Sequence, residues 1–216
     1  MTILPKKIPK ICIVDYGMGN LKSVVNALNF SLDCNVLVSD RTKDLEEAEI
    51  LILPGVGSFY DAMTNIVERG LFEALNRQVI DLKKPLVAIC LGMHLIMDSS
   101  EEGEFKRGFG WIPGSVKKFK LKREFQVPHM GWNNIIIKKN LGLFKGIESN
   151  PDYYFVHSYH LECDESFVVA SCNYGYEFPA VIEKDNILAF QFHPEKSHRN
   201  GLSLLRNSIH RISRKF

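Results

Sequence analysis

Two short stretches, far apart in the chain, carry side chains that could do chemistry. The first is Lys84-Pro85-Leu86-Val87-Ala88-Ile89-Cys90-Leu91-Gly92-Met93-His94-Leu95. Its apolar run, bounded by Pro85, has the length of a strand buried on both faces. A cysteine that ends such a strand and is followed at once by helix-forming residues sits on a sharp bend. The free amides at the start of the new helix then point at the sulfur, favour its thiolate and can hold an oxyanion. This is the geometry of a nucleophile elbow, with sulfur in place of a serine hydroxyl. Taken alone, Cys90 is also compatible with a buried structural cysteine, the commoner role at a strand end.

The second stretch is Gln191-Phe192-His193-Pro194-Glu195-Lys196-Ser197. Pro194 biases His193 toward an extended backbone, which turns residues 193 and 195 to the same side. A carboxylate beside an imidazole fixes its tautomer and leaves the other nitrogen free to take a thiol proton. Cys90, His193 and Glu195 would then be nucleophile, base and orienter. A metal site built from Cys90, His94, His193, Glu195 and His198 is the competing reading, and their spacings match no closed zinc pattern. His94 could rival His193 as the thiol's partner, but one turn along the helix it reads as a pocket wall. His129, His157, His160 and His210 carry no signal individually.

Alternating elements would position these residues. Residues 11–15 read as a buried strand, 16–20 as a turn, and 21–30 as a helix capped by Asn20. The third glycine of a dinucleotide loop is missing, since Lys22 holds that slot. Strands over 35–39 and 50–53 follow, with a short helix over 45–49 between them. The second strand runs into Pro54-Gly55-Val56-Gly57-Ser58. A glycine-flanked loop at a strand's carboxyl end is where α/β sheets bind ligands. It can expose amides as an anion cradle, or be a plain tight turn. Helices over 60–69 and 71–82 lead to the Cys90 strand. Beyond residue 103 short strands replace the alternation, over 115–125, 134–138, 153–159, 167–173, 180–184 and 187–191. They read as antiparallel additions to one sheet, closed by a helix over 201–213. The expectation is a three-layer α/β fold with a mostly parallel central sheet and antiparallel additions in the second half. It would be a single domain over 1–216 with a short extension over 1–10.

Bulk properties narrow the function. At 216 residues, 45% hydrophobic and 24% charged, the chain has the make-up of a globular enzyme-sized domain. A net charge of +2 argues against a nucleic-acid binder. Lys117, Lys118, Lys120, Lys122 and Arg123 alternate in part with Phe119, Leu121 and Phe125, as on a half-buried strand with a solvated basic face. No segment approaches the length of a membrane span, and residues 1–10 lack a secretory h-region. Five scattered cysteines without CxxC spacing fit a reducing, cytoplasmic compartment.

Cys90-Leu-Gly-Met, His193-Pro-Glu195 and Pro54-Gly-Val-Gly57 together resemble the class I glutamine amidotransferases. Asp15-Tyr-Gly-Met-Gly-Asn20, Val127-Pro-His-Met-Gly-Trp-Asn133, Tyr154-Phe-Val-His-Ser-Tyr159 and Gln191-Phe-His-Pro-Glu-Lys-Ser197 resemble one branch of it, the glutaminase subunits of imidazole glycerol phosphate synthase. The resemblance runs from about Ile11 to the last helix. It implies hydrolysis of L-glutamine to glutamate and ammonia, with Cys90 attacking the amide, His193 assisting and Glu195 orienting. Amides of Leu91 and of the Val56-Gly57 loop would form the oxyanion hole, and Gly57, His94 and Tyr159 would lie near the substrate. The ammonia would pass to a (β/α)8-barrel synthase subunit in a heterodimer serving histidine biosynthesis, with Gly17, Asn20, Trp132 and Lys196 on the docking face. No cofactor or metal is implied. The same branch includes paralogues supplying ammonia for amidino-sugar synthesis on surface polysaccharides, and a non-catalytic regulatory partner is a further alternative. The chain departs from the family pattern at His94, usually Gln, and at Ala88 and Ala189, at or near positions usually Gly.

Overall fold

The structure, a computed structural model, describes residues 8–103 and 106–213. The extension expected over residues 1–10 falls largely outside them. The first strands are β1 (Lys10–Val14), β2 (Asn35–Ser39), β3 (Ile50–Leu53) and β4 (Leu86–Ile89). Next come β5 (Met97–Ser100), β6 (Lys106–Arg107), β7 (Ile112–Lys118), β8 (His129–Ile137) and β9 (Asp152–His157). The last are β10 (Tyr159–Cys163), β11 (Val168–Tyr174), β12 (Tyr176–Lys184) and β13 (Ile187–Phe190). The helices are α1 (Leu21–Ser31), α2 (Thr42–Glu47), α3 (Phe59–Glu68), α4 (Leu71–Asn76), α5 (Leu91–Leu95) and α6 (His198–Ile212).

Nine strands form one sheet in the order β2-β1-β3-β4-β13-β12-β11-β8-β9. The first five are mutually parallel and the remaining pairings antiparallel. The period-two alternation of each strand sorts its side chains between two cores. Ile11, Ile13, Ile50, Ile52, Val87 and Ile89 face α1 and α6 through Val24, Leu28, Leu204 and Ile209. Cys12, Val14, Leu51, Leu53, Leu86 and Ala88 face α2 to α5 through Leu45, Phe59, Ile66, Leu71 and Leu75. Each such aliphatic side chain, fully buried, contributes about 1.5–3 kcal/mol. Order reverses between β1 and β3, which opens a crevice at their carboxyl ends where the 16–19 and 54–57 loops meet.

The additions to the sheet differ from the expected single set. β10, β7, β5 and β6 make a separate four-stranded sheet, whose Met97, Ile112, Val116 and Leu161 join the core under α2 to α5. Residues 153–159 are therefore two strands bent at Ser158, one in each sheet. The strand expected over 115–125 stops at Lys118, where pairing with β10 runs out at Tyr159. Phe119 then buries among aromatic rings, while Leu121 and Phe125 close on the turn at Gly175. Lys117 is paired with Glu101 at 2.7 Å. The strand over 187–190 runs parallel to β4, not antiparallel, and that choice brings the two chemical stretches to one edge.

Candidate active site

Cys90 is the residue after β4, and its backbone (φ 51°, ψ −107°) lies where non-glycine residues rarely go. The strain is held from both sides. Cys90 N–H donates to Phe190 O at 2.7 Å, and the amides of Met93 and His94 return to Cys90 O at 2.9 and 3.2 Å. Gly92 makes the bend possible, because a Cβ there would lie 1.9 Å from Leu53 O. The helix that follows is only five residues long, ending at Leu95. Its influence on the sulfur is thus local, through the first-turn amides of Leu91 and Gly92, which have no intrahelical acceptor.

β13 is in register with β4, Phe190 beside Ile89, so the residues after each strand emerge together. His193 keeps the expected extended backbone (φ −100°, ψ 92°). Glu195 does not continue it; it sits in a 3-10 turn over Pro194–Lys196 and reaches back, placing Oε1 2.8 Å from His193 Nδ1. Both side chains are 2% exposed. Nε2 is buried without another hydrogen-bond partner among the described residues, which leaves it for Cys90. Burial pulls the imidazole pKa down, but the charge and hydrogen bond of Cys90 and the Glu195 carboxylate outweigh it and raise the value to about 10. Cys90 and Glu195 therefore both favour the protonated form of the ring.

The 54–57 loop lies against this elbow. A Cβ on Gly55 would come 2.8 Å from Leu91 Cβ, and Gly57 has φ +111°, a conformation that suits glycine. Val56 at the loop's tip is exposed. Tyr16 donates to Pro54 O at 2.6 Å, and burial with the Cys90 charge pushes its phenol pKa far up. Glu102 accepts from Phe59 N–H at 3.0 Å; burial raises its pKa and, after burial, its charge is the next cause raising that of Tyr159. Nothing in the spacing of Glu102 marked it, because only the β5 edge brings it beside the loop.

His94 is buried with Nε2 2.8 Å from Gln191 Oε1. Burial lowers its pKa to about 4, against the Gln191 hydrogen bond, so the ring is neutral. It belongs to a wider set of buried histidines. The β8–β9 register sets His129 opposite His157, with Nδ1 to Nε2 at 3.0 Å. His160 reaches the Tyr176 hydroxyl at 2.8 Å, and Phe119 packs among all three rings. Among the described residues no group of three or more His, Cys, Asp or Glu side chains is arranged to hold a metal ion.

The four residues read as a docking face lie around the same edge. Gly17 has φ +84° in the turn after β1, and Asn20 caps α1, accepting from Ser23 N–H at 3.3 Å. α1 packs on the 3-10 turn that carries Lys196. The Lys196 ammonium lies 5.9 Å over the Tyr154 ring, and Trp132, 44% exposed, stacks on His198 at 4.8 Å.

A three-layer α/β sheet with a strained cysteine elbow facing a His–Glu pair defines a class, and comparison with known families gives the same one. The chain belongs to the class I glutamine amidotransferases: the model "Glutamine amidotransferase class-I" matches residues 12–212. Within that class it is 44% identical over 200 residues to "Imidazole glycerol phosphate synthase subunit HisH 2" of Vibrio vulnificus, covering 93% of this chain and 94% of that one. It is 46% identical over 199 residues to "Imidazole glycerol phosphate synthase subunit HisH 1" of Campylobacter jejuni, covering 92% and 98%. A solved glutamine amidotransferase shares the fold with a TM-score of 0.70 at 17% identity, over 93% of this chain and 98% of that chain. No helix among the described residues is long and apolar enough to cross a membrane.

Proposed function

We propose that this chain is the glutaminase subunit of an imidazole glycerol phosphate synthase, hydrolysing L-glutamine and passing ammonia to a (β/α)8-barrel partner in the cytoplasm. The observation that carries the reading is the Cys90 elbow meeting a His193 whose other nitrogen is 2.8 Å from Glu195. A charged imidazole beside a thiol favours its thiolate, the form that attacks. Cys90 attacks the side-chain carbonyl carbon of glutamine, and the oxygen's negative charge falls on the Leu91 amide and an amide of the Val56-Gly57 loop. The C–N bond breaks as His193 Nε2 gives its proton to the departing nitrogen, releasing ammonia and leaving a thioester. Neutral His193 then takes a proton from water, whose oxygen attacks the thioester; glutamate leaves and the proton remains on the imidazole. Glu195 fixes the tautomer throughout. We assign the α-ammonium of glutamine to Glu102, whose carboxylate accepts from Phe59 N–H at the end of the loop and whose charge acts on Tyr159, and a wall of the pocket to His94.

The docking face is supported by exposed apolar side chains on the β8–β9 pair, Met130 at 63% and Trp132 at 44%, Trp132 lying opposite the Tyr154 that Lys196 covers. The test is glutamate release from glutamine by the chain alone and with each barrel-type synthase subunit of its source organism. Strong activation by the histidine-pathway barrel is the expected result. Activation only by another barrel would transfer the chain to the amidino-sugar branch, and silence with all of them would leave a non-catalytic partner.

A further inference from the structure

One buried hydroxyl near the site has no part in the steps above. Ser197 is fully buried. Its Oγ accepts from Tyr154 N–H at 3.0 Å and donates to His193 O at 2.6 Å. On the other side of the same residue, His193 N–H donates to Tyr154 O at 2.9 Å. Strand β9 and the catalytic segment thus form a bridge resembling antiparallel pairing, with a serine hydroxyl inserted in one of its two rungs. Both main-chain groups of His193 are tied to Tyr154, N–H directly and O through Ser197, and His193 O accepts in addition from Lys196 N–H at 3.0 Å within the 3-10 turn. The serine itself is fixed, since Ser197 N–H donates to Pro194 O at 3.1 Å and Gly201 N–H to Ser197 O at 2.8 Å.

We infer that Ser197 is a positioning residue that sets where the His193 imidazole stands relative to Cys90. The nucleophile is tied to β13 through Phe190, while the base is tied to β9 through Tyr154, so the separation of the two depends on this bridge. Without the hydroxyl, Tyr154 N–H is buried and unpaired and His193 O keeps only the Lys196 amide at 3.0 Å, so residue 193 shifts toward Tyr154 to satisfy the freed donor. Tyr154 is also opposite Trp132 in the β8–β9 register, and Trp132 stacks on His198, next to Ser197.

The inference rests on the glutaminase reading only for its turnover arm, so the test has a second arm that does not. In Ser197→Ala, kcat for glutamine hydrolysis by the assembled complex should fall about tenfold to a hundredfold with KM within about twofold, the signature of a misplaced base. Alkylation of Cys90 by iodoacetamide, followed by peptide mass spectrometry, should need a pH higher by about one unit or more, because the thiolate loses its imidazolium partner. Retained ammonium-driven synthesis by the same complex shows that fold and docking persist. Should Ser197→Ala not yield folded protein, Ser197→Cys, which keeps the shape with a weak donor, is read in the same way and gives a smaller loss in both arms. A folded variant with an unchanged Cys90 alkylation profile overturns the inference whatever the substrate proves to be. Loss of hydrolysis from the unmutated complex would instead overturn the glutaminase reading.

Discussion

Glu195→Gln separates two things the carboxylate does for His193: it holds the tautomer, and it supplies negative charge. A glutamine can still accept from Nδ1–H through its amide oxygen, so the geometry persists and only the charge is lost. The rise of the His193 pKa from 6.5 to about 10 corresponds to about 5 kcal/mol in favour of the imidazolium, net of burial. Cys90 supplies the larger share. A hydrogen bond to a charged group is worth about 1.5–3 kcal/mol, so removing the charge of Glu195 should lower the basic limb of the pH profile by about 1–2 units. That limb belongs to the coupled Cys90–His193 pair. The raised pKa also stabilises the fold, fully below pH 6.5 and progressively less as pH climbs through about 10, so the variant should lose alkaline stability earlier. The assay is kcat/KM for glutamine with the assembled complex, from neutral to alkaline pH. A uniform drop in rate with the basic limb unmoved would refute the charge argument and leave orientation as the only role.

Three further outcomes follow from the geometry. Gly92→Ala forces a methyl group against Leu53 O, where a Cβ would stand at 1.9 Å. It should cost about 3 kcal/mol or more and lower Tm by roughly 6–12 °C by calorimetry. His94→Gln should leave the glutamine KM unchanged or lower, since a carboxamide can still bond Gln191; a large rise would make the imidazole an adapted substrate contact. His94 and His129 are held near pKa 4 by burial, below the ordinary 6.5, so the neutral rings stabilise the fold above pH 6.5 and that stability is lost as pH falls through about 4. For fully buried His94 the loss is about 3 kcal/mol, and thermal melts over this range should be flatter in His94→Gln.

Much of the site was readable from residue order because its parts are local. Cys90 ends an apolar run, and His193 and Glu195 are two residues apart, so a strand end and a proline were enough to pair them. The proline's extended bias stops at His193, however, and Glu195 reaches the ring from a 3-10 turn. The split of residues 152–163 between two sheets was hidden, since alternation tells which face is buried but not which strand is the neighbour. The buried histidines were hidden for the same reason. His129 and His157 meet only through the β8–β9 register, and His160 joins them from the other sheet. Glu102 and Ser197 gave no pattern at all, because what sets them apart is hydrogen bonding to main-chain groups of residues distant in the chain.

The most direct test of the central claim is Cys90→Ser in the assembled synthase complex, with imidazole glycerol phosphate formation driven by glutamine and, separately, by ammonium salts. The account predicts that glutamine-driven synthesis disappears while ammonium-driven synthesis continues at the unmutated rate. Glutamine-driven synthesis that survives the substitution would contradict it.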